Sequence, residues 1–396
     1  MPKFPVRGVC AAAAALLLAS CGTTAAEKAA EAEAARIAAE LAARTPPPIA
    51  LADSVAESAA IYLSFTRDMA TIQGGFASAA EVQAALRRGA AYDPTQLSRG
   101  MVAYGAIVAL QSPEFVAGVR QYASHASVRQ ELANNIAADP RWVLNLPGAD
   151  AGAGLVMAVL RDDIDALSRA ADSIETDAYT IQNRGDPRRA WAVAHVADRS
   201  QRLDAVKAGA TRTMLAPEAE VARLRSAALA GSGLGIATDR RREAPYPPIV
   251  EQALALAALA ALGEGGNPAQ SRTDALQTET VSQGCLTESK LNLYQCLAAS
   301  RPSYEDMFCL GRHIVRDLAT CARGASQPAA IVSVSDVSVA PEPPQPRITP
   351  SALQPSPVPA PAIQTPAGQP VTISPTPSPP GRVLSPTERL NRAPGG

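Results

Sequence analysis

The chain has 396 residues and a formal net charge of −1, and 47% of its residues are hydrophobic although only 4% are aromatic. The near-neutral charge argues against a nucleic-acid-binding surface and against a surface for anionic membranes. The apolar residues are mostly Ala, Leu and Val, so we expect closely approaching helices with a modest core. Of the 34 prolines, 17 follow residue 340, and this shift in composition marks a boundary.

The N-terminus begins with Lys3 and Arg7, and an apolar stretch follows at residues 9–18. This stretch is shorter than the roughly 20 residues of a membrane-spanning helix, but it fits the apolar region of a secretory signal. It ends in Leu18-Ala19-Ser20-Cys21, which resembles the lipobox of bacterial lipoproteins. The resemblance covers only the first two dozen residues.

This resemblance implies that residues 1–20 are cleaved as a signal peptide and that the thiol of Cys21 is diacylglycerylated. Acyl chains then hold the mature protein on a membrane without a spanning helix. Gly22 stands where some enterobacterial lipoproteins retained at the inner membrane have Asp. The resemblance therefore predicts an outer-membrane anchor with the body in the periplasm.

Residues 25–44 combine Ala with Glu, Lys and Arg, which are among the strongest helix formers. We expect a solvated linker helix that ends before Pro46-Pro47-Pro48. An oligomerising coiled coil is the alternative, but it requires larger seam residues than this stretch offers.

From residue 53 to about 262 the apolar pattern is helical and no stretch alternates as a strand would, so we expect an all-α body. A heptad seam runs from Met157 to Ile181, and residues 183–187 follow as a turn. The same spacing continues through Val193 and Leu203, which predicts a long antiparallel helical hairpin.

Four cysteines, Cys285, Cys296, Cys309 and Cys321, fall on two predicted helices separated by Pro302. Cysteines 11 residues apart on one helix lie about 16 Å apart, which is too far for a disulfide bond. Two pairings remain, and an antiparallel hairpin favours the nested one over the crossed one. A Cys₄ zinc site is the rival, but it normally uses shorter Cys-x₂₋₄-Cys steps.

The second cysteine helix has a register problem. Twelve residues of α-helix leave Cys321 roughly 120° away from the face of Cys309. Either Cys321 lies beyond the regular helix or the helix is distorted, and Gly311 is one place for the distortion.

The remaining chemistry-bearing residues form no recognised catalytic motif, since neither H-E-x-x-H nor G-x-S-x-G occurs. We therefore expect structural or solvated roles for them and predict no metal and no cofactor. They are His125, His195 and His313, the acidic cluster Asp162, Asp163 and Asp165, the glycines Gly231, Gly233 and Gly235, and the basic run Arg240, Arg241 and Arg242.

The sequence thus predicts a signal peptide at 1–20, a lipid anchor and linker helix at 21–50, a helical domain at 51–263, a linker with the four-cysteine hairpin at 264–325, and a disordered Pro-rich tail at 326–396. The first hypothesis is a non-catalytic envelope lipoprotein that acts as a scaffold or adaptor for a protein partner, with no nucleic acid bound. The alternative is a periplasmic enzyme with a helix-borne active site. A shallow apolar groove favours the adaptor, and a pocket that gathers Asp162, Asp163 or His195 with perturbed pKa values favours the enzyme.

Overall fold

The computed structural model describes residues 25–327. The predicted signal peptide, the lipidation site Cys21 and the tail from residue 328 onward lie outside the described residues. Within them the chain forms α1 (Ala25–Arg44), α2 (Asp53–Thr71), α3 (Ala79–Ala90), α4 (Pro94–Ala109), α5 (Pro113–Arg120), α6 (Ala126–Ala138), α7 (Ala149–Thr180), α8 (Arg189–Ala192), α9 (Arg199–Gly209), α10 (Glu218–Ala230), α11 (Pro248–Ala261), α12 (Gln270–Leu276), α13 (Thr280–Ala299), α14 (Ser303–Leu310) and α15 (Asp317–Ser326). Two 3₁₀-helices lie at Pro140–Asn145 and Asn267–Ala269, and a π-helix lies at Gly311–Arg316.

The predicted all-α class is confirmed, because no strand occurs between residues 25 and 327. Local sequence signals start several of the helices. Ser78 accepts a hydrogen bond from the backbone N–H of Glu81 at the start of α3, and Asp93 does the same for Gln96 at the start of α4. The linker helix α1 also forms, and its side chains at residues 25–41 are exposed.

The core is built around α4, which packs against α2, α7 and α11. Small residues allow α2 and α4 to approach closely: a methyl group on Gly100 would collide with the backbone of Ser58 and with the side chain of Tyr62. The apolar helix α11 is buried along most of its length. Close helix contacts are what the Ala-rich, aromatic-poor composition predicts.

The predicted seam on α7 is buried along its whole length, from Met157 to Ile181. Its partner is different from the expected one. The seam packs against α14, the π-helix and α15, whereas α9 packs against α3 and α13. The prediction that residues 193–203 form the second arm of a helical hairpin with α7 is therefore wrong.

The physical reason lies in the backbone of residues 193–198, which is not helical. The N–H of Val196 donates to the carbonyl of Arg301 at 2.7 Å, and the N–H of Ser303 donates to the carbonyl of Ala194 at 3.2 Å. The guanidinium of Arg199 donates to carbonyls at the end of α13, including that of Ser300 at 2.8 Å. These bonds attach the segment to the turn between α13 and α14.

One hydrophobic core crosses the domain boundary expected at residue 263. Leu286, Leu293 and Leu297 on α13 are buried in the same cluster as α4 and α7. The four-cysteine hairpin thus completes the core of the helical body.

Among the described residues no single helix is both long enough and apolar enough to span a membrane. Taken together, α4 and α5 have the length and apolar composition of a membrane span, but the chain bends by 86° between them.

Candidate functional site

The four cysteines form the nested pair of disulfides. Cys285 bonds to Cys321 with their Cα atoms 5.6 Å apart, and Cys296 bonds to Cys309 with their Cα atoms 5.7 Å apart. The first bond joins α13 to α15 and the second joins α13 to α14. Of the two pairings left open by the sequence, the antiparallel hairpin adopts the favoured one.

A π-helix supplies the distortion expected between Cys309 and Cys321, and it begins at Gly311. A π-turn closes its hydrogen bond from residue i to i+5 and so holds one residue more than an α-turn. The twelve positions from Cys309 to Cys321 therefore give the rotation of eleven residues of α-helix. Eleven residues turn an α-helix by roughly 1100°, close to a whole number of turns. Both partner helices therefore present their two cysteines on one face.

The π-helix is held from two sides. Gly311 approaches α7 so closely that a Cβ there would lie 3.0 Å from Cγ of Glu175. On the other side, the hydroxyl of Ser289 on α13 donates to the carbonyl of His313 at 3.1 Å, and His313 Nδ1 lies 3.2 Å from Asp317. His313 therefore has a structural contact inside the hairpin.

A buried ion pair anchors the hairpin to its neighbours. Arg202 on α9 donates to Asp306 on α14 at 2.5 Å, and both side chains are buried. Asp306 also accepts from the hydroxyl of Ser300 at 2.6 Å and from the amide of Gln83 at 2.6 Å. Three side-chain donors, from α9, from α3 and from the turn after α13, thus satisfy one buried carboxylate, as a buried charge requires.

An aromatic groove lies where the end of α7 meets α14. Tyr179 and Phe308 meet edge to face with their ring centroids 5.9 Å apart, and Tyr304 lies beside them. The groove has a volume of about 200 Å³, and Glu305 is its one charged lining residue. The side chain of Tyr179 is 63% exposed although it is large and apolar, so the aromatic groove is an open apolar surface.

A second cavity, of about 300 Å³, lies against the middle of α7 and is called the Asp163 pocket below. Its walls come from α2, α4, α7, α10 and the loop that follows α10. It is lined by Arg67, Tyr104, Leu155, Ala158, Val159, Asp162, Asp163, Arg223, Leu234, Gly235, Ile236, Ala237 and Arg240.

Asp163 is a carboxylic acid of this pocket with a strongly raised pKa. Burial is the main cause that raises the pKa of its carboxyl from 3.8 to about 6; the charge of Arg67 opposes the rise and the charge of Asp162 adds to it. The atom Oδ2 is inaccessible and has no hydrogen-bond partner among the described residues. Complete burial raises the pKa of Tyr62 well above its usual value, and the negative charge of Asp163 adds to the rise.

The arginines of the pocket are paired to different degrees. Glu220 accepts two hydrogen bonds from Arg223, at 2.6 and 3.0 Å, and its pKa is lowered by them. Arg67 lies 3.8 Å from the same carboxylate, and Arg240 lies 3.9 Å from Asp239. In this pocket the carboxyl groups on α7 therefore lie opposite guanidinium groups on α2, α10 and the loop.

The structure gathers some of the sequence candidates and separates others. Asp162 and Asp163 share the pocket, and the expectation of a solvated face is wrong for Asp163, because its Oδ2 is inaccessible. His195 is exposed, as expected, and His125 directly precedes α6; neither lines the pocket. Arg67 and Tyr104 also line the pocket, and the sequence gave no sign of this because they lie on two separate helices, α2 and α4.

The glycine-rich loop also has a role that its sequence concealed. Gly235, with a φ of 67°, carries Leu234 and Ile236 onto the pocket wall. In the basic run, Arg240 lines the pocket while Arg241 pairs with Asp150 at 2.7 Å and with Glu114. Both arginines are exposed, as expected for a solvated loop, and the structure adds these contacts to that expectation.

Within residues 25–327 no group of three or more His, Cys, Asp or Glu side chains is arranged to hold a metal ion. The chain matches no protein-family model, and neither a curated protein nor a solved structure is similar to it.

Proposed function

We propose that the protein is a non-catalytic cell-envelope lipoprotein, a scaffold or adaptor tethered to the outer membrane with its body in the periplasm. The observation that carries the proposal is the Leu18-Ala19-Ser20-Cys21 lipobox at the head of a body closed by two disulfides. Structural disulfides persist in oxidising compartments such as the periplasm. The two features are independent: the lipobox supports the membrane tether, and the disulfides support an oxidising compartment.

The linker helix supports a tether. Its 20 residues span about 30 Å when helical, and its described side chains bury no apolar surface. A lipid on Cys21 would hold the body at that order of distance from the membrane. The body then presents its surfaces to the periplasm.

The aromatic groove supports the adaptor role. Tyr179, Tyr304 and Phe308 form an apolar surface with a single acidic neighbour, Glu305. Aromatic residues are enriched in the cores of protein interfaces, where they bury a large area at low entropic cost. The occupant that fits is a segment of another envelope protein that inserts an apolar side chain and places a basic residue beside Glu305.

Site-specific crosslinking in intact cells tests this proposal. A photo-crosslinking residue at position 179 should yield one defined partner, and the same residue at position 128 provides the control, because Val128 is exposed on α6 away from the groove. Glu305→Lys should reduce the position-179 product. Equal products from both positions, or none from position 179, would contradict the adaptor.

A second candidate, a periplasmic enzyme, is favoured by one observation. A carboxyl with a pKa of about 6 in a cavity has the acidity that general acid–base catalysis uses near neutral pH. Under this alternative, Asp163→Asn abolishes the cellular function while the position-179 crosslink persists. Under the adaptor, Asp163→Asn leaves the cellular function intact and groove substitutions abolish it.

A further inference from the structure

Asp163, which lines the Asp163 pocket, has a buried carboxyl oxygen that the described part of the protein leaves without a partner. Oδ2 of Asp163 is inaccessible and has no hydrogen-bond partner among the described residues; the same holds for the hydroxyl of Tyr62, which does not line the pocket. An unpaired buried polar group costs roughly 1–3 kcal/mol, so such groups are rare in a folded protein. A positively charged ligand beside the Asp163 carboxyl in the cavity would offset part of this cost by charge attraction.

The charges around the cavity have both signs and lie on different walls. Asp162 and Asp163 project from α7, whereas Arg67 comes from α2 and Arg240 from the loop. The nearest carboxylate to Arg240 is 3.9 Å away, which leaves its donors free for another acceptor. A purely anionic ligand would meet two carboxyl groups here, and a purely cationic one would meet the guanidinium groups.

The size and the apolar lining narrow the ligand further. The volume of about 300 Å³ is at the lower end of ligand pockets and fits a molecule of amino-acid or dipeptide size. Leu155, Val159 and Ile236 provide apolar contacts between the two charged walls.

We propose that the Asp163 pocket binds a small zwitterion, a free α-amino acid or a dipeptide, with its ammonium group against Asp163 and its carboxylate on Arg240 and Arg67. An ammonium carries three N–H donors, enough for the carboxyl groups of both Asp163 and Asp162 that line the pocket. The site lies apart from the aromatic groove and does not depend on the adaptor function.

Isothermal titration of the purified full chain tests the ligand class. L-leucine and L-alanyl-L-alanine are the zwitterionic probes, and they separate a free amino acid from a dipeptide. N-acetyl-leucine lacks the ammonium and leucine amide lacks the carboxylate. We expect at least one zwitterion to bind and both capped leucines to bind at least tenfold more weakly than leucine or the dipeptide. Equal binding of either capped compound, or no binding by both zwitterions, would overturn the proposal.

Matched variants test the location. Asp163→Asn and Arg240→Gln should each weaken binding at least tenfold. Asp165→Asn, on the same helix but 3.9 Å from Arg323, and Arg242→Gln, two residues after Arg240, should leave it unchanged. Arg240 lies on an exposed loop, so its variant stays informative even if the core variant folds poorly. Loss of binding in the controls, or its retention in both pocket variants, would place the ligand elsewhere, whereas the crosslink from position 179 reports on the adaptor separately.

Discussion

Cys309 and Cys321 face the same partner helix although they lie twelve positions apart in the sequence. The reason is that the π-helix between them contains one residue more than the α-helical turn that it replaces. Each then bonds to α13, at Cys296 and Cys285 respectively. Deletion of Arg312, an exposed residue inside the π-helix, should convert this segment to α-helix and keep both disulfides. Non-reducing peptide mapping of the deletion variant checks the expected pairing.

The matched control is a deletion in the regular helix α13. Leu291 lies between Cys285 and Cys296 and is exposed. Its removal leaves ten residues, which turn the helix by roughly 1000° and separate the two cysteine faces by about 80°. We expect this variant to retain free thiols. Equal thiol labelling in both deletion variants would show that the π-helix does not set the register.

The two disulfides should differ in their contribution to stability. They close loops with sequence separations of 36 and 13 residues. In the chain-entropy model these loops are worth about 4 and about 3 kcal/mol. Urea unfolding of Cys285→Ala/Cys321→Ala and of Cys296→Ala/Cys309→Ala should therefore show the larger loss for the first pair. The reverse order would mean that strain or residual structure outweighs loop entropy.

Asp306→Ala should be the most destabilising single substitution in the hairpin. It leaves the buried guanidinium of Arg202 unpaired, at a cost of about 3–5 kcal/mol. The control is Asp68→Ala, which removes a partly exposed carboxylate 3.1 Å from Arg88 and should barely change the urea midpoint. If the double variant Arg202→Leu/Asp306→Leu is no more stable than Asp306→Ala, unpaired charge is not the cause.

Periodicity and covalent geometry predicted much of this fold. The seam from Met157 to Ile181 is buried, and the nested cysteine pairing and the distortion near Gly311 both occur. The sequence did not predict that α14, the π-helix and α15 pack against α7. A heptad seam indicates that one face of a helix is buried, but it does not indicate which element covers that face. The polar backbone contacts of residues 193–198 with Arg301 and Ser303, which decided the outcome, have no periodic signal.

The candidate site was predicted in part. Asp162 and Asp163 were noted as an acidic cluster, but whether these carboxyl groups are solvated or line a pocket depends on which elements cover α7. Arg67, Tyr104 and Arg240 come from positions more than 30 residues apart, and only the packing of α2, α4 and the loop brings them to one cavity. A single sequence gives no local pattern for such a convergence.

Asp163→Asn should stabilise the protein at neutral pH. The folded pKa of Asp163, about 6, lies above the usual 3.8, so the folded state binds the proton more tightly and stability falls as pH rises from about 4 to about 6. Above that window the ionised carboxyl costs up to about 3 kcal/mol, which the amide avoids. Urea unfolding at pH 7 should show the gain, and at pH 4 the two proteins should be nearly equal. A gain that does not depend on pH would contradict the buried-carboxyl account.

Cys21→Ala should release the protein from the membrane fraction. Two or three acyl chains hold a soluble body on a bilayer, because each buried CH₂ contributes about 0.8 kcal/mol, and the variant has no attachment point for them. Cys10→Ala is the matched control, since Cys10 lies inside the predicted signal peptide and should leave the mature protein membrane-bound. Separation of inner and outer membranes by density gradient, followed by immunoblotting, measures both variants. If the Cys21→Ala protein still sediments with the membranes in the absence of any partner, the lipid anchor is not at Cys21.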